Sequence, residues 1–225
     1  MQTVEASVLR QVAAYGLFAF DVGYDRLSDH VFVWHGDRPA GGWHVHGWTD
    51  AHPWSVVDGR RQRLTIRKRR WRRADRTATC HSHPPDALRV YSDALLVALE
   101  LWCWLDAAVG LHRYVGPFDE GPARRTVQRW LRRALPVAAA TQHALRHAII
   151  ERSEPRPVEM LFPRGLAPPA DLQRRRWRVP SSVSTLWRGL AILIIGASKL
   201  QISCAPLLAE ARRRSTAPPE QFLLL

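Results

Sequence analysis

Cysteine is scarce in this 225-residue chain, and Cys80, Cys103 and Cys204 stand far apart with no CxxC pair among them. That spacing excludes a disulfide framework and a four-thiolate metal site, and it points to a reducing cytoplasm as the compartment. Long apolar runs are missing as well. The longest uncharged one near the C-terminus, GLAILIIGAS between Arg188 and Lys199, is about half of the roughly 20 residues a helix needs to span a bilayer. It reads as a buried helix or strand, so no membrane partner is expected. The N-terminal stretch carries Glu5 and Arg10 and lacks the basic start and sustained apolar middle of a secretory signal. There is no phosphate-cradling GxxxxGK loop, no GxSxG elbow and no HExxH helix. Acidic residues such as Asp93, Asp106, Glu151 and Asp171 have no strand context that would gather them around catalytic metal ions. The expectation is therefore a protein that is not an enzyme and holds no cofactor.

Arginine is what the chain has in excess. Lysine occurs only at Lys68 and Lys199, so arginine supplies 31 of the 33 basic residues, and the formal charge is +13. A planar guanidinium grips phosphate or a guanine edge through two hydrogen bonds, whereas an ammonium acts as a point charge. The clustering says more than the total. Ten of the seventeen residues from Arg60 to Arg76 (RRQRLTIRKRRWRRADR) are basic, and a second cationic segment, GPARRTVQRWLRR, runs from Gly121 to Arg133. Two such elements in one chain make a polyanion, double-stranded DNA, the expected partner.

With 46% hydrophobic residues the chain can bury a real core. Residues 1–29 form an N-terminal segment with apolar positions between 4 and 20 and a turn-like DVGYDRLSD. From 30 to 83 the runs VFVW, WHVHGW, SVV and RLTIR, broken by Gly, Asp and Pro, predict a small antiparallel β region. Residues 84–152 read as helical. Asp86 or Ser92 would cap a first helix reaching about Val109, with Tyr91, Leu95, Leu99 and Trp102 on one face; Pro136 would end a second helix, and a third would follow from Val137 to about Arg152. A Pro- and Arg-rich connection covers 153–180. Residues 181–225 hold a C-terminal helix, Ser184 to Arg212, and a frayed tail. The fold class is α+β, a small β-ribbon followed by a mostly helical region with a helix-turn-helix-like unit.

In such a unit one helix packs by its apolar stripe while its opposite face enters the major groove. From Pro122 to Leu135, Val127, Trp130, Leu131 and Ala134 supply the stripe, and Arg124, Arg125, Gln128, Arg129 and Arg132 the outer face. Gln128 adds an amide able to pair with adenine at two points. Arg67, Lys68, Arg69, Arg70, Arg72 and Arg73 read as phosphate contacts from a strand or loop, and Trp71 as packing. His44, His46, Cys80, His81 and His83 offer an alternative metal set, against which ordinary loop histidines are the simpler reading. His143 and His147 stand i, i+4 on a helix without the glutamate of a metalloprotease motif.

Three pieces in order, FVWHGDRPAGGWHVHGW, RLTIRKRRWRRADRT and ARRTVQRWLRR, resemble bacterial insertion-sequence proteins and related transposase-associated domains, in which an N-terminal zinc ribbon precedes a helix-turn-helix. The resemblance covers roughly residues 30 to 135 and implies a DNA-binding role tied to a mobile element. Phe32, His35, Trp71 and Ala74 stand where the ribbon's four cysteines would be, so a ribbon without metal is expected, its vacated site filled by apolar contacts of Phe32 and Trp71. Two alternatives stay open here: an interaction protein with solvated basic surfaces, and a relic without activity.

Overall fold

A computed structural model describes residues 24–28, 30–57, 60–81, 94–111, 113–114, 122–153, 166–201 and 204–215. Residues 1–23, the caps expected at Asp86 or Ser92, His83 and the C-terminal tail lie outside the described residues, and within the expected turn DVGYDRLSD the residues Tyr24–Arg26 form a strand instead. Among the described residues seven strands come first: β1 (Tyr24–Arg26), β2 (Val31–Trp34), β3 (Trp43–Ala51), β4 (Trp54–Val57), β5 (Arg60–Arg63), β6 (Thr65–Arg73) and β7 (Thr79–His81). Six described α-helices follow: α1 (Ala94–Ala107), α2 (Arg124–Ala134), α3 (Ala138–Ser153), α4 (Ala170–Arg174), α5 (Pro180–Leu200) and α6 (Cys204–Arg214). The chain is α+β, with a small and largely antiparallel sheet ahead of the helices.

The arginine-rich strand β6 is the centre of the sheet. One of its edges pairs along its length with β3, antiparallel; the other pairs first with β2 and then with β7. The β2–β6 pair is parallel, Phe32 opposite Ile66, which no local hairpin pattern announces. β4 and β5 form a separate hairpin. A bulge in β3 between Val45 and Trp48 shifts its register against β6.

Phe32, Leu64 and Ile66 join the sheet to the helices in one apolar cluster with α1, α2, α3, α5 and α6. α1 is buried nearly all round from Leu96 to Trp102, not along one stripe, because α5, the β4 strand and α2 pack around it. α5 packs against α1, α3 and α6. It is the one described helix long and apolar enough to cross a membrane, and 67% of that stretch is buried within the protein. α3 and α5 approach closely at Gly189, where a Cβ would come 3.3 Å from the Gln142 backbone. The single helix expected from Ser184 to Arg212 is two: Gln201 turns left-handed (φ 54°), and Pro206 stands in the first turn of α6, a position proline tolerates and a helix interior does not. Within the expected connection 153–180, the described residues 166–180 include the helix α4 and pack on the core, with Leu172 buried and Trp177 edge-on to Trp104 at 5.8 Å.

One carboxyl lies inside this core. Glu100 of α1 is fully buried, and the Tyr114 hydroxyl donates to its Oε2 and its backbone carbonyl at 3.0 Å each. Burial pushes its pKa up to about 7, against the opposing pull of that hydrogen bond and of the Arg61 charge.

Candidate nucleic-acid interface

α2 owes its orientation to period 3.6. Val127, Trp130 and Ala134 are buried and Leu131 is half-buried, which turns Arg124, Arg125, Arg129, Arg132 and Arg133 out to solvent and leaves Gln128 half-exposed. Among the described residues no carboxylate reaches ion-pair distance of these five guanidiniums. Two of them, Arg124 and Arg125, occupy the first turn, where the helix dipole is positive and no acidic side chain or capping group compensates. Eleven residues make a rod of about 16 Å, long enough to lie in a major groove.

The setting of α2 differs from a tight helix-turn-helix. Residues 108–123 separate it from α1, where that motif uses a turn of about three or four residues. The helix boundary expected at Pro136 is present: α2 ends at Ala134 and α3 begins at Ala138. Leu135–Val137 form a single 3-10 turn between them, with Ala134, Leu135 and Ala138 all in right-handed helical conformation. Proline is accommodated because it sits in the first turn of the new segment, where its missing N–H is not needed.

β6 has period 2, and its six expected phosphate contacts part company. Lys68, Arg70 and Arg72 share one face with Ile66; Arg67, Arg69 and Arg73 share the other with Trp71. On the second face every cation meets an acid directly or through a histidine. Arg67 Nε lies 3.4 Å from Asp50 and Arg73 Nε 3.2 Å from Asp75, whose carboxyl is held below its usual range first by the Thr77 hydroxyl. Arg69 donates to His35 Nδ1 at 3.2 Å, which leaves the proton on Nε2, and Nε2 donates to Asp25 at 2.6 Å.

The first face has no such compensation. Among the described residues Lys68, Arg70 and Arg72 have no ion-pair partner, and the Nε atoms of Arg70 and Arg72 are covered without a hydrogen bond. His44 lies opposite Arg72 and His81 opposite Arg70. The pKa of His46 is depressed, first by desolvation and then by the charges of Arg70 and Arg72. Lys68, Arg70 and Arg72 are half-buried, so this row is less accessible than the arginines of α2.

The pairing also separates the candidate metal ligands. Cys80 lies opposite Trp71 on one face and His44 opposite Arg72 on the other, and no three described His, Cys, Asp or Glu residues converge to hold an ion. The ribbon positions diverge likewise: Phe32 pairs with Ile66 toward the helices, and Trp71 is buried on the opposite face. The apolar pair does not fill a shared vacated site. Cys103 is a core thiol whose pKa burial raises, which leaves it no nucleophile.

Sequence reasoning missed Trp48, His35 and Asp25. Trp48 is 43% exposed, with the Arg69 guanidinium 5.5 Å from its ring centre and the His35 ring in a T-shaped contact, 5.9 Å between ring centres. An isolated glycine inside a strand pattern signals a bulge, and Gly47 was that signal. No family model matches the sequence, and neither a curated protein nor a solved structure matches it.

Proposed function

We propose that the protein is a non-catalytic binder of double-stranded DNA that presents α2 to the major groove and the Lys68, Arg70, Arg72 row of β6 to phosphates. The observation that carries this reading is the outer face of α2: five exposed guanidiniums and Gln128 backed by a buried stripe, without carboxylate partners among the described residues. Such a face serves binding at a cost to the isolated molecule, since like charges on one helix side repel and its first turn opposes the dipole. A long polyanion relieves both. Arg125, Gln128 and Arg129 can reach base edges, while Arg124, Arg132 and the β6 row supply contacts that carry no sequence information.

The test is a salt titration with a duplex selected from genomic fragments. Arg125→Ala, Gln128→Ala and Arg129→Ala should each weaken the selected duplex more than an unrelated one, while Arg70→Ala and Arg72→Ala should weaken all duplexes alike and flatten the salt slope. Unchanged affinity in all five variants would reject the reading. Association with a mobile element is the further part of this proposal, supported by the resemblance of residues 30 to 135. Recovery of repeated element ends among the selected fragments supports it, and uniform recovery rejects it.

A further inference from the structure

The acid-compensated face of the sheet has no part in the duplex reading, and it carries the largest exposed aromatic among the described residues. Val45 is 50% and Trp48 43% exposed, and both lie on this face, opposite Trp71 and Arg69. Three positions apart on a regular strand they would point to opposite sides. The bulge between them, where Gly47 adopts φ 113°, turns Trp48 onto the side of Val45. Nothing lies within 4 Å of a Cβ built at Gly47, so the backbone angle and not space demands glycine there.

Trp48 is also held in place. Arg69 lies beside the rings of both Trp48 and Trp71, at 5.5 and 5.7 Å, and is tied through His35 to Asp25. β3 pairs with β6 alone among the described strands, so its outer edge is open. On one side of that edge lie His44, His46 and the uncompensated Arg70 and Arg72; on the other lies the indole. We propose that Trp48 is a stacking platform for an unpaired base of single-stranded DNA whose backbone laps over the β3 edge toward the Arg70 and Arg72 row. Charge sorts the two halves of the ligand. A neutral base suits the face where Asp25, Asp50 and Asp75 offset the cations, and phosphates suit the face where no described carboxylate does. Only a flexible strand can use both, because a duplex has a persistence length of about 50 nm and cannot fold around one strand's edge.

The inference rests on the protein being a DNA binder but not on α2 reading a groove. The full chain is titrated with an oligothymidylate of about 12 nucleotides, with an abasic strand of equal length, and with a duplex. Trp48→Ala should lower affinity for the oligothymidylate about tenfold, leave the duplex within about twofold, and leave the abasic strand unchanged, because one stacked base is lost. Trp48→Phe, which keeps an aromatic face, should restore most of the binding. Equal single-strand affinity of wild type and Trp48→Ala overturns the proposal. So does an equal loss for strand and duplex, or a Trp48→Ala variant that turns a dimer into a monomer in sedimentation, since the face then joins two copies. Wild type that binds the duplex and not the single strand overturns this inference alone, while wild type that binds neither overturns the DNA reading too.

Discussion

α2 and β6 carry nearly the same kind of sequence, dense in arginine with tryptophan between, and they present it in opposite ways. In α2 the apolar residues recur at helical spacing, so all five arginines leave on one side and stay unpaired among the described residues. In β6 consecutive cations alternate, so half of them land on a face where Asp25, Asp50 and Asp75 lie within reach. The number of positive residues in a run therefore overstates the charge a strand offers, and states it fairly for an amphipathic helix.

The largest effect that could break this contrast is on α2's anchor. Trp130→Ala should cost about 3 kcal/mol of unfolding free energy by leaving a core cavity, and Arg129→Ala under about 0.5. Similar losses in a denaturant titration would mean that α2's outer face is not free. Next in size is the groove face itself: combined Arg125→Ala and Arg129→Ala should reduce duplex affinity about a hundredfold, at about 1.4 kcal/mol for each tenfold step. The two faces of β6 should then separate in a salt titration. Arg70→Ala with Arg72→Ala should lower the slope of log affinity against log salt by about 1.8, and Arg67→Ala with Arg73→Ala should hardly change it. Equal slopes for the two pairs would erase the distinction drawn between the faces.

The smallest effect is on pH. The charges of Arg70 and Arg72 help depress the His46 pKa, and phosphates bound to them would let it recover toward 6.5. Binding should take up protons, so duplex affinity should rise a few-fold as pH falls below 6.5, and His46→Gln should flatten that rise. A flat wild-type profile between pH 7 and 5 would mean that no phosphate sits at the row.

What was legible in the sequence was local. Val127, Trp130 and Ala134 recur within one helix, and the short strands are set off by Gly, Asp and Pro, so α2 and most of the sheet could be read directly. The parallel β2–β6 pair could not, because Phe32 and Ile66 meet across more than thirty residues and no turn fixes their register. Trp71, read as packing, is buried while its charged neighbours are not. Pro136 marked the boundary between two helices correctly, and only the backbone angles show that the chain stays right-handed helical across it. The set His44, His46, Cys80 and His81 was plausible by residue type alone; strand parity turns Cys80 to the other face, and no three of the described ligands converge.

The buried carboxyl of Glu100 has a consequence for how the protein meets its surroundings. A folded-state pKa of about 7, above the 4.5 of a free glutamate, means the native form holds this proton more tightly than the unfolded chain does. Its contribution is full below pH 4.5 and is lost as pH rises toward 7, with Glu100→Gln levelling the decline in a melting series. A rise in pH from the acid range to neutrality, not a fall, is the direction in which this carboxyl loosens the molecule from within.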